Sequence, residues 1–139
     1  MIHLPGFDRK LWQMESYAKR QSTIDRRRAL FEEAAAIIER DYRYDLSLDA
    51  LAHRIAASRR QLQRAFAEVG GTSFRAYLAS VRMARAAELL SEGALQVHQV
   101  AVAVGYRQPA QFAKAFRRHH GAPPSSFRVR RSTLGARAA

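Results

Sequence analysis

One short segment of the sequence combines apolar and basic residues at helical spacing. If Leu62, Ala65 and Phe66 face inward, four long polar side chains face outward. These are Arg59, Arg60, Gln63 and Arg64. A guanidinium group is a forked donor that matches guanine, and a glutamine amide offers the paired donor and acceptor that match adenine. This face could therefore contact base edges in a major groove, and a merely solvated cationic face is the alternative.

A second segment further along the chain has a similar layout but a different outer face. Burying its aromatic positions, Phe112 and Phe116, exposes small or flexible side chains. These are Ala110, Ala113, Lys114 and Arg117. Methyl groups can recognise little beyond the methyl group of thymine. We therefore expect the second face to contribute less to base recognition than the first.

The two segments belong to an internal repeat. The apolar and small residues from Leu48 to Ala56 recur 49 positions later, from Val97 to Gly105. After one inserted residue, the pattern from Gln61 to Tyr77 recurs at an offset of 50. The repeat favours a helix over residues 97–104, although the alternating valines there would also suit a strand. We interpret the chain as one small helical unit present twice.

Each repeated unit is predicted to be a helix, a tight turn and a second helix. Small residues, Ala56 and Gly105, stand where the chain must reverse, and Ala52 and Ala101 stand where the two helices must cross closely. This is the layout of a helix-turn-helix, whose second helix enters the major groove of DNA. A helical hairpin that only packs against its neighbours is the alternative.

Two further helices must position these units. Thr72 or Ser73 can begin a helix over about residues 73–92, which Gly93 ends. Roughly 18 residues in helical conformation would span about 27 Å. Apolar spacing predicts an earlier helix over about residues 25–41. Residues 1–24 carry aromatic side chains without a clear period, so we predict an N-terminal extension that could contain one short helix.

The charge of the chain points to a polyanionic partner. It has 24 basic and 12 acidic residues among 139, for a net charge of +12. The excess is uneven, because residues 75–139 hold 11 basic residues and only two acidic ones, Glu88 and Glu92. Nucleic acid is the leading candidate for such a partner. At 47% hydrophobic residues, a chain of this length can still bury the core of one domain.

Other chemistries find little support in the sequence. The absence of cysteine excludes disulfides, thiol catalysis and cysteine-ligated zinc. The adjacent His119 and His120 have no nearby third ligand, so we expect no metal and no cofactor. Six acidic side chains cluster around the first predicted helix without a nucleophile, so we expect no enzyme but solvated helix charge or a surface for a basic partner. They are Glu32, Glu33, Glu39, Asp41, Asp45 and Asp49.

The order of these motifs resembles the AraC/XylS-type DNA-binding domain over residues 25–130. The matching positions are Leu51-Ala52, Ser58, Leu62 to Phe66, Gly71 to Phe74, Tyr77-Leu78, Arg82, Ala86, Leu89-Leu90, Val100-Ala101, Gly105-Tyr106, Phe112, Phe116-Arg117, Gly121, Pro124 and Phe127-Arg128. The resemblance implies an all-α fold, with helix-turn-helix subdomains at about 47–70 and 96–120 joined by the long central helix. The sequence departs from the family at Ala110 and Gln111, where a serine and an aromatic residue are usual, and at His120, where an aromatic residue is common.

The resemblance also assigns roles to individual residues. Base contacts are implied for Arg60, Gln63 and Arg64 in the first unit and for Ala110, Ala113 and Lys114 in the second, and we add Arg59 from its place on the same face. Contacts to the DNA backbone are expected from six further side chains. These are Arg54, Arg107, Gln111, Arg117, Arg118 and Arg128. Residues 131–139 are predicted to be a basic tail that adds affinity without sequence preference.

These features predict a sequence-specific regulator of transcription that binds double-stranded DNA. We expect an activator that contacts RNA polymerase and binds as a monomer, since one chain already contains both units. No segment is apolar enough to cross a membrane, so we expect a cytoplasmic protein associated with the nucleoid. Few residues precede the first helix, so we expect a stand-alone domain or a fragment of a longer regulator. The alternatives are a non-specific architectural DNA-binding protein and a helical protein-interaction module such as a polymerase adaptor.

Overall fold

The structure, a computed structural model, describes residues 8–128, and this part of the chain is helical without any strand. Its helices are α1 (Arg9–Asp41), α2 (Leu48–Arg54), α3 (Arg59–Glu68), α4 (Phe74–Glu92), α5 (Val97–Ala103) and α6 (Pro109–His120). A further helix, α7, begins at residue 124 and reaches residue 128, the last one described. The predicted all-α class is confirmed, with two helix-turn-helix units joined by the long α4. The predicted tail at 131–139 lies outside the described residues.

Serine caps fix where three of the helices begin. The hydroxyl oxygens of Ser47, Ser58 and Ser73 each accept a hydrogen bond of 3.1 Å from a backbone N–H three residues later. Such a cap stabilises a helix by about 1 kcal/mol, because it satisfies a donor that the helix itself cannot. At the other end of α4, Gly93 adopts a left-handed conformation, with a φ of 75°. The predicted bounds of α4 are therefore confirmed.

The valine-rich segment that suited either a strand or a helix is helical. In a strand, Val100, Val102 and Val104 would share one face. In α5 and its C-cap, Val100 and Val104 are fully buried, whereas Val102 is 68% exposed. This separation follows from the helical period, which places residues four apart on one face and turns the residue between them outward.

The predicted start of the first helix near residue 25 is wrong. Asp8 caps α1, which then runs unbroken for 33 residues without a glycine or proline. Almost all of its first half is exposed, including Leu11, Trp12, Met14 and Tyr17. An exposed helix needs no apolar period, so the pattern that revealed residues 25–41 could not reveal the preceding turns. The N-terminal extension is therefore helical from residue 9 onward.

Two hydrophobic cores share α4. The first lies between α1, α2, α3 and the first half of α4, and contains Ala34, Ile38, Leu51, Ala52, Ile55, Leu62, Phe66 and Leu78. The second lies between the second half of α4, α5 and α6, and contains Met83, Ala86, Leu90, Val100, Ala101, Val104, Phe112 and Phe116. Each helix-turn-helix unit thus has its own core, and one helix crosses both.

Equivalent phenylalanines organise the two cores. In the first, the ring of Phe66 lies 5.4 Å from that of Phe31 and 5.9 Å from that of Tyr77. In the second, the ring of Phe116 lies 5.0 Å from that of Phe127 and 4.4 Å from the imidazole of His120. His120 thus occupies the place where an aromatic residue is common. Its Nε2 atom also lies 3.0 Å from the carbonyl oxygen of Met83 on α4.

The turns of the two units use the same backbone path with different residues. Ala56 has a φ of 55° and Gly105 a φ of 98°, both in the left-handed region. In each turn the next residue donates a 2.9 Å backbone hydrogen bond to the carbonyl of the buried alanine, Ala52 or Ala101. The predicted reversal points are therefore confirmed, and the two alanines expected at the helix crossings are buried.

Exchanging the residues at the two turns should have opposite effects on stability. Ala56→Gly should raise the free energy of unfolding by up to about 1 kcal/mol, because relief of left-handed strain outweighs the added freedom of the unfolded chain. Gly105→Ala should lower it by at least about 2 kcal/mol, because the added Cβ would lie 3.0 Å from Arg82 and 3.1 Å from the carbonyl of Arg43. Urea unfolding of both variants measures this, and equal losses would contradict it.

Candidate nucleic-acid interface

The face predicted to contact bases in the first unit lies open on α3. Ser58 and Gln61 form a reciprocal capping box at the start of this helix. Leu62, Ala65 and Phe66 are fully buried. The outward side chains are all exposed, and they are Arg59, Arg60, Gln63 and Arg64. The predicted division between buried and exposed positions is confirmed, and contact of these four residues with bases stays a prediction.

The corresponding face of α6 is smaller than predicted. Pro109 lies in the first turn of α6. Backbone N–H groups there have no acceptor within the helix, so the N–H that proline lacks costs no hydrogen bond. Ala110 and Lys114 are exposed, but Ala113 is half-buried. Lys114 is therefore the one charged side chain among the three positions to which the resemblance assigns base contacts. Gln111, which we predicted to contact the DNA backbone, is exposed beside this face.

Three arginines that we predicted to contact DNA already have acidic partners. Arg54 lies 3.2 Å from Asp41, Arg59 lies 3.5 Å from Asp49, and Arg107 lies 3.7 Å from Asp45. The carboxylates of these pairs lie at the end of α1, in the segment that joins α1 to α2, and in the first turn of α2. Those of Asp45 and Asp49 are largely exposed, as expected for solvated charge, although each also has an arginine partner.

These ion pairs are weak enough to be exchanged. The Asp49 and Asp45 pairs are largely exposed at both partners, and exposed pairs contribute only about 0–1 kcal/mol. Asp41 is held more firmly, because its side chain is only 19% exposed and accepts hydrogen bonds from both Arg40 and Arg54. The bond from Arg40 is the main cause of the lowered pKa of this carboxyl group. A phosphate could replace Asp45 or Asp49 at little cost, and would compete least well for Arg54.

The remaining arginines predicted to contact the DNA backbone differ in exposure and in the contacts that they already make. Arg117 and Arg118 are exposed on α6 and make no ion pair within residues 8–128. Arg128 is half-buried, and its Nε donates a 3.1 Å hydrogen bond to the carbonyl of Leu95. It therefore attaches α7 to the segment between α4 and α5, so that a phosphate contact could use only the outer part of its guanidinium group.

Arg82 joins the two units, a role that the sequence analysis missed. Its Nε donates a 2.9 Å hydrogen bond to the carbonyl of Tyr42, and its Nη2 donates a 3.0 Å bond to the carbonyl of Tyr44. Its guanidinium carbon lies 5.6 Å from the ring centroid of Tyr106, in the turn region of the second unit. Burial lowers the pKa of this guanidinium, which still carries its charge at neutral pH.

A signal for Arg82 was present in the sequence. It stands four residues after Leu78 and four before Ala86, both buried, so it interrupts the inward row of α4 with a charge. A charged residue in such a row needs partners, because burying an unpaired charge is costly. The sequence could not show that those partners are backbone carbonyls.

Neither a membrane-spanning helix nor a metal cluster is found in the part of the chain that the structure describes. No helix there is long and apolar enough to cross a bilayer. No three histidine, aspartate or glutamate side chains there lie close enough together to hold a metal ion.

Known sequences that are similar to this chain are helix-turn-helix proteins. Residues 51–130 match the profile of a family described as a helix-turn-helix domain. The chain is 32% identical over 97 residues to the HTH-type transcriptional regulator GbdR of Pseudomonas aeruginosa, covering 70% of this chain and 26% of that protein. It is 39% identical over 84 residues to the RCS-specific HTH-type transcriptional activator RclR of Escherichia coli, covering 60% and 28%. The chain spans about a quarter of the length of these relatives.

Solved structures show the same fold. A transcriptional regulator from Chromobacterium violaceum with an AraC-type DNA-binding domain superposes with a TM-score of 0.70 at 30% identity, covering 74% of this chain and 92% of that one. The DNA-binding domain of the global transcriptional factor AdpA, solved with a target DNA, gives a TM-score of 0.66 at 30% identity, covering 72% and 89%.

Replacing Arg82 with methionine should destabilise the whole domain. Two hydrogen bonds from a charged donor would be lost and the carbonyls of Tyr42 and Tyr44 left without that donor, so we expect a loss of about 2–3 kcal/mol in urea unfolding. Arg75→Met is the matched control, because Arg75 is exposed on the same helix and should change stability by less than about 0.5 kcal/mol. If the two variants change the free energy of unfolding by similar amounts, the hydrogen bonds of Arg82 do not stabilise the domain as proposed.

Proposed function

Since this chain belongs to the AraC-type helix-turn-helix family of DNA-binding transcriptional regulators, we propose that it recognises a specific DNA sequence by inserting α3 and α6 into successive major grooves. The observation that carries this proposal is the pair of helix-turn-helix units in one chain, each with an open face on its second helix. A single unit could be a packing hairpin, whereas two units fixed on one helix match the periodic grooves of a duplex.

The dimensions of the connecting helix support simultaneous insertion. α4 has 19 residues and therefore spans about 28 Å. Successive major grooves on one side of a duplex are about 34 Å apart. The rest of the distance is available from the segments that connect α4 to each recognition helix, meaning the second helix of each unit, α3 and α6.

The first unit should contribute most of the sequence preference. Arg60, Gln63 and Arg64 offer base-specific donors on the open face of α3, and Arg59 could join them once it leaves Asp49. The base contacts assigned to Ala110, Ala113 and Lys114 offer methyl groups and one flexible ammonium. The two half-sites should therefore be unequal, and the preferred DNA site should be asymmetric.

Backbone contacts should provide most of the affinity. Arg117 and Arg118 are ready to contact phosphates, and so is the exposed Gln111. Arg54 and Arg107 would exchange a carboxylate for a phosphate, whereas Arg128 would keep its hydrogen bond to Leu95. We therefore expect log affinity to fall less steeply with log salt concentration than a count of basic residues alone would give.

We also propose that the protein activates transcription in contact with RNA polymerase. Support comes from one relative, RclR, whose name describes an activator. A chromosomal target would place the protein in the cytoplasm with the nucleoid. Transcription in vitro from a promoter that carries the selected site tests this proposal, because an activator should raise transcript yield and a repressor should lower it.

The proposed specificity can be tested by selecting bound duplexes from a random pool and sequencing them. A specific regulator should enrich one asymmetric motif and bind it at least about a thousandfold more tightly than scrambled DNA. An architectural protein would bind all duplexes with similar, strongly salt-dependent affinity. A protein-interaction module would bind no duplex appreciably.

Substitutions on the two recognition helices should have different effects. Arg60→Ala should weaken binding to the selected site by about 1–3 kcal/mol and relax base preference in one half-site, because a bidentate base contact is lost. Lys114→Ala should weaken selected and scrambled duplexes by similar factors, because a flexible ammonium more readily meets phosphate. Titrations of both duplexes at one salt concentration measure this. If only Lys114→Ala lost the preference for the selected duplex over the scrambled one, α6 rather than α3 would be the main base-contacting helix.

The stoichiometry of the complex should be one chain per site. Two unlike recognition helices in one chain can occupy both half-sites, so no symmetric dimer is needed. Native mass spectrometry on one selected duplex of about 20 base pairs, two half-sites about one turn apart, should show a single bound protein. Two proteins on a palindromic site would contradict this.

A further inference from the structure

A basic cleft opens between α1 and α3, outside most of the residues that the sequence assigned to DNA contact. It has a volume of about 300 Å³. Helix α1 contributes Ser22, Thr23, Arg26 and Arg27, and α3 contributes Gln61 and Arg64. Only Arg64 was among the predicted interface residues.

The cleft lies where the inward row of α1 changes from apolar to basic. Along this row, Ile38 and Ala34 are fully buried and Leu30 is half-buried. Four and eight residues earlier, the same row continues as Arg26 and Ser22, both exposed. The row that packs against the first core thus ends in a cation that faces α3 across open space.

The side chains of the cleft leave hydrogen-bond donors available. Arg27 is bound to Glu68, but neither Arg26 nor Arg64 has an ion-pair partner among residues 8–128. The side-chain oxygen of Gln61 accepts a 2.9 Å hydrogen bond from the backbone of Ser58, so its amide group is free to donate. The hydroxyl of Thr23 already donates to the carbonyl of Lys19. Two guanidinium groups and an amide suit an anion with several acceptor oxygens.

We propose that this cleft binds a phosphate group of the DNA backbone, with Arg26 as its main ligand. Arg64 belongs both to the cleft and to the open face of α3, so the cleft opens at the edge of that face. When α3 occupies a major groove, the nearest anion at this edge is a phosphate of the strand that borders the groove. The inference rests on the proposed function and extends the interface of the first unit onto α1.

A matched pair of substitutions on α1 tests the proposal. Arg26→Gln removes the ligand, and Arg28→Gln removes the same charge from an exposed position about 200° around the helix. At one salt concentration, Arg26→Gln should weaken binding to selected and scrambled duplexes alike, by about three- to tenfold, and reduce the salt slope by about 0.9. Arg28→Gln should change affinity less than about twofold and leave the slope unchanged. Equal effects of the two variants overturn the proposal, because they indicate general electrostatic attraction only.

Chemically altered DNA identifies the phosphate. Duplexes with single neutral methylphosphonate linkages beside the first half-site should include one that weakens binding of the wild-type chain as much as Arg26→Gln does. The Arg26→Gln variant should not respond to that linkage. If every linkage weakens both proteins equally, the contact does not exist. Thermal unfolding should show that both variants are as stable as the wild type, because both positions are exposed.

A titration with inorganic phosphate distinguishes DNA from a free phosphate ester as the ligand. The backbone amide resonances of Ser22 and Thr23 are followed in the protein without DNA. Saturable, Arg26-dependent shifts, together with unchanged DNA affinity in Arg26→Gln, would assign the cleft to a free ester and overturn the DNA contact. Failure of the wild type to bind any duplex would overturn the proposed function and with it this contact, whereas loss of the Arg26 effect alone would overturn only the contact.

Discussion

The arrangement of the molecule depends on one helix that passes through two hydrophobic cores. Leu78, in the first part of α4, packs against the first unit, and Met83 and Leu90, in the second part, pack against the second. Each core is small, and units of about 40 residues or fewer are marginal alone. Because both cores include parts of a single rigid rod, the orientation of each unit is set by its own packing. The separation between the recognition helices therefore depends on the length of α4 and on the segments that connect it to α3 and α6.

Charge is distributed differently around the two units. In the first, acidic residues at the junction of α1 and α2 lie beside arginines of the candidate interface, as Asp49 does beside Arg59. After Glu92 the sequence contains no acidic residue, so the arginines of α6 have no such neighbours within their own unit. The first unit combines selective donors with local acidic competitors, whereas α6 of the second presents cations without them, and only Arg107, which precedes α6, has an acidic partner. This contrast fits a division between base recognition in the first unit and backbone attraction in the second.

Much of the fold could be predicted because it is encoded locally. Ser73 was predicted to begin α4 and caps it, and the repeat resolved the helical nature of the valine segment. The open face of α3 followed from the buried positions around it. In each case the physical cause lies within a few residues of the feature.

The features that were not predicted leave no apolar period in the sequence. The first half of α1 is exposed and thus has no such period, so only its cap at Asp8 and the absence of breakers could have indicated it. The pairing of Arg107 with Asp45 joins positions far apart in the chain. The cleft at Arg26 exists because α1 crosses α3, which no local pattern specifies. Sequence patterns identified the faces that are exposed, but not what lies opposite them.

The way in which Arg82 connects the units bears on how sequences of this kind can diverge. Its acceptors are the main-chain carbonyls of Tyr42 and Tyr44, which every residue type supplies equally. For these two bonds the residue types at positions 42 and 44 are immaterial, although the side chain of Tyr42 also packs against both cores. Position 82 should thus vary little while the exposed position 44 varies widely. Methods that infer contacts from correlated substitutions would pass over these two hydrogen bonds, although they attach the loop between α1 and α2 to α4.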